Sequence, residues 1–253
     1  MILTDVLTAA DMNPMYYKFI PIFIKTWKKI IPNIKIHIIL IADKIIEELE
    51  DYKEYIHLFK PINNITTTFI AQNIRLFYPA LLESSDGGIL ITDIDIVPMN
   101  KEYYIEPIKN YDNNKFICYR QLECVGENEM VICYNIAHQN IWSEIFSIKY
   151  ENDIRTQIKN LYNDIKYVGH KNMPFWITDQ LYLYEKTQKW NNKTNNLVIL
   201  NDNITNFKRL DRNRFPNNST LKSLIQSHSY SDYHMLRPYD KFSTINNFII
   251  DLL

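Results

Sequence analysis

The chain is 253 residues long, 46% hydrophobic and 23% charged, which excludes a disordered protein and leaves enough apolar material for a sizeable core. With 28 basic against 29 acidic side chains the formal charge is −1, so no overall field gathers nucleic acid or an acidic membrane. No apolar run reaches the roughly 20 residues of a bilayer span, and Met1 to Asp5 lacks the basic and apolar regions of a secretory leader, which predicts a cytoplasmic protein.

Three cysteines, Cys118, Cys124 and Cys133, are odd in number and carry no C-x-x-C spacing, so free thiols in a reducing compartment are expected. Asparagine and isoleucine are abundant while glycine occurs only 4 times, a bias that fits an AT-rich genome. The sequons at Asn64, Asn192, Asn203, Asn217 and Asn218 follow from that asparagine content. No Pro/Gly/Ser-rich linker interrupts the chain and no fixed-period repeat is visible, so one domain spanning residues 1–253 is expected.

In chain order, Ile2 to Thr8 is short and β-prone, and Asp11-Met-Asn13-Pro14 reads as a loop entering a helix with proline near its start. From Tyr16, the positions Ile20, Phe23, Ile24, Trp27 and Ile31 recur at helical spacing until Pro32-Asn33. Ile34 to Ile41 is a near-continuous β-branched run, as a strand covered on both faces requires. Thr66 to Leu82 is a helix with Ile70, Ile74, Phe77 and Leu81 on one face, Thr67 or Thr68 as its cap, and Pro79 kinking or ending it. Asp86-Gly87-Gly88 turns into a buried strand, Ile89 to Thr92. Phe116 to Arg120 and Met130 to Ile136 follow as strands, Asn140 to Ile148 and Phe175 to Lys186 as helices, and Leu197 to Leu200 as a short strand. Asn201 to Ser219 is polar and reads as loop. Residues 1–100 thus form a Rossmann-like parallel half and residues 101–253 a mixed half around a common sheet, an α/β fold. In such folds ligands bind outside the carboxyl ends of the strands, which directs attention to Thr8 to Asn13, Ala42-Asp43 and Asp93 to Asp95.

The sharpest local signal is Ile89-Leu-Ile-Thr-Asp93-Ile-Asp95-Ile-Val-Pro98. Two carboxylates two apart in a straight strand point to one side and repel unless a cation sits between them. Oxygen ligands of this kind favour Mg²⁺ or Mn²⁺, with water and phosphate oxygens completing the shell.

Taken in order, Thr8-Ala9-Ala10-Asp11-Met-Asn13-x-x-Tyr16, Arg75, Asp93-Ile-Asp95, Tyr134-Asn135, Thr178-Asp179-Gln180 and His234 resemble the GT-A glycosyltransferases over Met1 to about Tyr239. The pattern is similar to the retaining galactosyl- and glucosyltransferases of family eight, and to small glycosyltransferases of large DNA viruses such as the chlorovirus capsid-glycan enzymes. The resemblance implies a GT-A fold and transfer of a sugar from a nucleotide-sugar, a UDP-sugar, to a glycan or other hydroxyl acceptor, with Mn²⁺ or Mg²⁺. A viral origin would place the protein in the host cytoplasm. Residue by residue it implies that Ala9, Asp11 and Asn13, with Thr8, hold uridine and ribose. Arg75 contacts the donor sugar or diphosphate, and Asn135 lies beside the donor. Asp93 binds metal and ribose, Asp95 binds metal, and His234 completes the metal shell. Asp179-Gln180 matches the acid and amide pair at the donor sugar, Trp176 and Phe175 offer a stacking wall, and Arg237 joins Arg75 in stabilising the leaving diphosphate. Two features depart from the pattern: Ala137 replaces the glycine of N-x-G, and His234-Met-Leu-Arg237-Pro238-Tyr239 is one residue short of the usual basic-residue spacing. The acceptor pocket is expected from Cys124 to Trp142 and Asn201 to Pro216.

Two other readings use the same residues. Asp93-Ile-Asp95-Ile-Val97 fits the D-x-D-x-[TV] loop of haloacid-dehalogenase-type phosphatases, in which the first aspartate attacks phosphate and the second is acid/base. A catalytically silent sugar-nucleotide-binding protein on a transferase scaffold is the other.

Overall fold

A computed structural model of the chain describes residues 1–83, 86–163, 165, 167–168, 175–215 and 218–253. Pro216, the end of the expected acceptor segment, and the Asn217 sequon lie outside the described residues.

Seven strands form the central sheet in the order β3-β2-β1-β4-β7-β6-β8. They are β1 (Leu3–Asp11), β2 (Lys35–Ile41), β3 (Ile56–Phe59), β4 (Gly88–Ile91), β6 (Phe116–Cys118), β7 (Asn135–Ala137) and β8 (Leu197–Ile199). β3, β2, β1 and β4 are mutually parallel, whereas β7 runs antiparallel to both β4 and β6. The mixed sheet is therefore one continuous layer built from both halves of the chain. A second sheet, β5 (Ile96–Pro98), β10 (Asp232–His234) and β9 (Arg209–Asp211), has β10 in its centre.

Both faces of the large sheet are covered, which is why β2 reads as an unbroken apolar run. Ile36, Ile38 and Leu40 face one core with Phe23 and Trp27 of the helix Ile20–Ile30. Ile39 and Ile41 face the other, with Phe69, Ile70, Ile74 and Phe77 of the helix Thr67–Phe77. Each isoleucine or phenylalanine so buried contributes about 1.5–3 kcal/mol. At the Asp86-Gly87-Gly88 turn a Cβ on Gly87 would stand 2.4 Å from the carbonyl oxygen of Ile2, so glycine lets β4 close against β1.

Several elements differ from the sequence expectation. β1 runs on to Asp11, because its parallel ladder with β2 continues through Thr8 to Asp11 although the apolar pattern stops. The helix expected from Tyr16 is two pieces, Pro14–Tyr17 and Ile20–Ile30. The helix starting at Thr67 ends at Phe77, and Pro79 sits in a tighter 3₁₀ turn over Tyr78–Leu81. The strand expected over Met130 to Ile136 shrinks to Asn135–Ala137, since Asn135 Nδ2 donates to the carbonyls of Val131 and Ile132 and bends the preceding chain. Asn201 to Ser219 is not all loop: it holds the short helix Asp202–Thr205, strand β9 and the start of the helix Asn218–Gln226. The helix expected over Phe175 to Lys186 is Thr178–Thr194. No helix among the described residues is long and apolar enough to cross a membrane.

Candidate active site at the carboxyl ends of the strands

The parallel strands β1 and β4 end beside a cavity of about 270 Å³. From the first half of the chain, Ala9, Asp11, Arg75, Asp93 and Asp95 line it. From the second half come Asp179, Gln180, His234 and Arg237, together with Trp176. The fold thus brings together residues that lie up to 228 positions apart, from Ala9 to Arg237. Thr8, Asn13, Asn135 and Phe175 are not among the lining residues. Thr8 is fully buried, Asn13 caps the helix Pro14–Tyr17 by accepting from Met15 N, and Asn135 is fully buried with its amide donated to backbone. Phe175 is 40% exposed, outside the cavity.

Asp11 is fixed from two directions. One oxygen accepts from Asn13 N at 3.1 Å, and the other accepts from the hydroxyls of Thr67 and Thr68, both at 2.9 Å. Thr66 takes the N-cap position, so the two threonines expected as caps serve Asp11 instead.

Asp93 and Asp95 lie in the turn between β4 and β5, where Ile96 N donates to the Asp93 carbonyl, rather than in a straight strand. Both carboxylates border the cavity from this turn, each with its own cation. Asp93 pairs with Arg75, and Asp95 with Arg212 at 2.7 Å.

Arg75, only 6% exposed, is the hub of one end of the cavity. Besides Asp93 it reaches Asp179 Oδ2 at 3.2 Å, which lies in the first turn of the helix Thr178–Thr194. Asp179 is 1% exposed, and burial pushes its carboxyl up to about 6 against the opposing pull of Arg75. Gln72 completes the brace: its amide donates to Asp179 Oδ1 at 3.1 Å and to the Trp176 carbonyl, and its oxygen accepts from Tyr167 at 2.7 Å.

At the other end, the register of the small sheet sets His234 opposite both Ile96 and Asp211. Its Nδ1 is 3.4 Å from Asp211 and its Nε2 is 3.5 Å from Asp95 Oδ2. Arg237 stands 3.7 Å from the same oxygen and donates to the Tyr16 hydroxyl at 3.1 Å. Burial pushes the Asp95 carboxyl up, but His234 and Arg212 outweigh it and hold the group well below the usual carboxylate range.

Two carboxylates and an imidazole are a donor set that suits Mn²⁺ or Mg²⁺ in kind. A neutral His234 with its proton on Nδ1, toward Asp211, would leave Nε2 to a cation shared by Nε2 and Asp95 Oδ2. Their 3.5 Å separation is close to the roughly 3 Å expected of adjacent ligands on one small ion. Among the described residues no three acidic, histidine or cysteine side chains already converge on one point. Asp95 and His234 fit such an ion provided that Arg212 leaves Asp95, while Asp93 is held by Arg75.

Sequence reasoning missed Arg212, Asp211, Gln72 and Tyr167. Arg212 and Asp211 sit in a stretch that reads as polar loop, 117 and 116 residues from Asp95, with no motif to single them out. Gln72 carries one signal, being three positions before Arg75 on the same helix.

The sequence matches no described family profile and no curated protein. Solved structures do match. The galactosyltransferase LgtC, in complex with donor and acceptor sugar analogues, is 15% identical, with 98% of this chain and 95% of that chain aligned at a TM-score of 0.50. The apo form of the glycosyltransferase GlyE from Streptococcus pneumoniae TIGR4 is 14% identical, with 98% of this chain and 62% of that one aligned, also at 0.50. A glycosyltransferase involved in glycosylating the major capsid of PBCV-1 aligns over 96% of this chain and 98% of that one at 9% identity and 0.44. The chain has the GT-A fold, as LgtC and GlyE do.

Proposed function

We propose that the cavity binds a nucleotide-diphosphate sugar, a UDP-sugar, together with a divalent cation, and transfers the sugar to a hydroxyl acceptor. The single observation that carries this reading is the convergence of Asp93, Asp95 and His234 with the Arg75–Asp179 pair in one cavity at the strand ends of a GT-A fold. Charge supports it. The lining holds the acids Asp11, Asp93, Asp95 and Asp179 against the bases Arg75, Arg212 and Arg237, so a diphosphate alone enters an acidic site. A divalent cation reverses that balance.

In this reading residues 1–100 form the nucleotide-binding half and 101–253 the acceptor-binding half of one domain. Ala9 and Asp11 hold the nucleoside, with Asn13 orienting Asp11 through its backbone N–H and Thr8 packed behind them. Asp93, Asp95 and His234 are the ligands of Mn²⁺ or Mg²⁺, which when bound supplies positive charge to the departing diphosphate. Arg75 and Arg237 add fixed positive charge from the two ends of the cavity, pre-oriented by Asp179 and Tyr16. As the bond from the anomeric carbon to the phosphate oxygen breaks, its electrons stay with the UDP oxygen and positive charge grows on the sugar; the acceptor hydroxyl oxygen bonds to the anomeric carbon and its proton leaves to the released UDP oxygen or to solvent. Asp179, ionised above about pH 6, stands at that side with Gln180 next to it. Trp176 offers an apolar wall for the sugar ring. Asn135 acts indirectly, by holding the Ile132 segment that borders the cavity.

Incubating UDP- and GDP-sugars with the protein and Mn²⁺, with and without hydroxyl acceptors, tests the reading through nucleotide release. UDP release from a UDP-sugar, lost in Asp179→Asn and Asp95→Asn, is expected. Turnover of a simple phosphomonoester with no UDP release would instead favour the phosphatase, although the Asp93 oxygen that would attack phosphate is held by Arg75. Nucleotide binding without any turnover would favour a silent binding protein.

A further inference from the structure

The Arg212 guanidinium is the nearest cation to Asp95, 2.7 Å from the oxygen that also lies within 3.5 Å of His234 and 3.7 Å of Arg237. Asp95 is 5% exposed, and a buried carboxylate with no cation is costly, so something positive must stand there when the cavity is empty. Arg212 does this from the turn after β9, with a second hydrogen bond to the Met235 carbonyl at 3.1 Å that fixes its guanidinium in place. Its own side chain is only 15% exposed, so a guanidinium pushed off Asp95 also needs a new anion. Of the other carboxylates named at the site, Asp93 is engaged by Arg75 and Asp211 faces His234.

We propose that Arg212 is a placeholder cation on Asp95 that yields to a divalent ion only when a nucleotide diphosphate arrives to take the guanidinium in turn. This rests on the reading of the cavity as a nucleotide-sugar site. A metal ion alone must displace Arg212 and leave it half-buried and unpaired, so it binds weakly. With the diphosphate present, the metal takes Asp95 and His234 while Arg212 moves its two parallel N–H groups to the phosphate oxygens, a geometry for which arginine is well shaped. Each ligand therefore strengthens the other by the same factor, and part of that coupling runs through Arg212. The device loads metal and donor together and disfavours a metal-filled cavity without a donor.

The test is Mn²⁺ binding followed by electron paramagnetic resonance of the free ion, without nucleotide and with saturating UDP, on wild type, Arg212→Gln and Arg212→Lys. In Arg212→Gln, Mn²⁺ alone is expected to bind about tenfold tighter, while UDP at saturating Mn²⁺ binds about tenfold weaker, as loss of a partly buried charged partner implies. Arg212→Lys, which keeps the charge, is expected to stay near wild type for Mn²⁺ alone. Unchanged or weaker Mn²⁺ binding by Arg212→Gln overturns the proposal while leaving the nucleotide site intact. Arg212→Lys binding Mn²⁺ alone as tightly as Arg212→Gln does also overturns it, because positive charge on Asp95 would then not be what holds the metal off. A wild type that binds neither Mn²⁺ nor UDP removes the functional reading and this inference with it.

Discussion

The two ends of β1 carry polar clusters of the same residue types in opposite situations. At its start, Asp5 is 2.8 Å from His37 Nε2, and His37 Nδ1 is 3.0 Å from His57 Nε2, a row drawn from three adjacent strands in parallel register. At its end, Asp11 borders a cavity whose charges come from separate segments reaching from Ala9 to Arg237. The first cluster is spent on itself: each imidazole has a ring neighbour, and burial with the adjacent His37 pushes His57 down to about 4. The second has paired charges too, but around open volume, with arginines on carboxylates that a ligand can replace. On the reading proposed above, what sets the second cluster apart is the arrangement of its pairs around a cavity and not buried charge alone.

The sharpest way to break this contrast is to remove Arg75. Arg75→Met leaves the buried Asp179 and the partly exposed Asp93 without their shared cation, and a loss of about 3–5 kcal/mol in urea unfolding is expected, with turnover abolished. Asp95→Asn acts on binding instead. A loss of about 10–100-fold in Mn²⁺-dependent UDP affinity is expected by calorimetry, with the fold retained. Asp179 sharpens the comparison through pH. Its carboxyl is pushed up to about 6, so turnover that needs the carboxylate falls about tenfold per pH unit below that value, and rate profiles should show this acid limb.

The smallest effect belongs to the histidine row. His57 takes a proton near 4 when folded but near the ordinary 6.5 when unfolded, so between these values the unfolded chain binds more protons and stability falls as pH falls. His57→Phe removes that part of the slope. Between pH 7 and 5 the variant should lose about a few degrees less in Tm than wild type, with nucleotide affinity unchanged at pH 7.5.

The first half of the fold was legible because its strands are long and covered on both faces: Ile34 to Ile41 could be little else. Asp93 and Asp95 stood out as a spaced pair, while Arg75, Asp179 and His234 were singled out one by one through the resemblance; the contact between Arg75 and Asp179 was not foreseen, and the fold lines one cavity with all five. β3 escaped notice since Ile56–Phe59 is a four-residue edge strand buried mainly at Phe59, and the helix Glu151–Tyr162 buries only Ile154 and Ile158 amid polar residues. Three-residue strands such as β9 and β10 leave no periodicity to read; their register comes from pairing with each other and with β5. Arg212 was invisible for the same reason. Its meaning lies in a contact across 117 positions, which no local pattern encodes.

The most direct test of the central claim is a thermal shift with UDP, with GDP and without nucleotide, each with and without Mn²⁺, on wild type and Asp95→Ala. A site built from exchangeable pairs predicts stabilisation by UDP that requires Mn²⁺, equivalent to about 3 kcal/mol at a ligand concentration a hundred times Kd, and lost in the variant. No shift with any nucleotide, or an equal shift in Asp95→Ala, would contradict it.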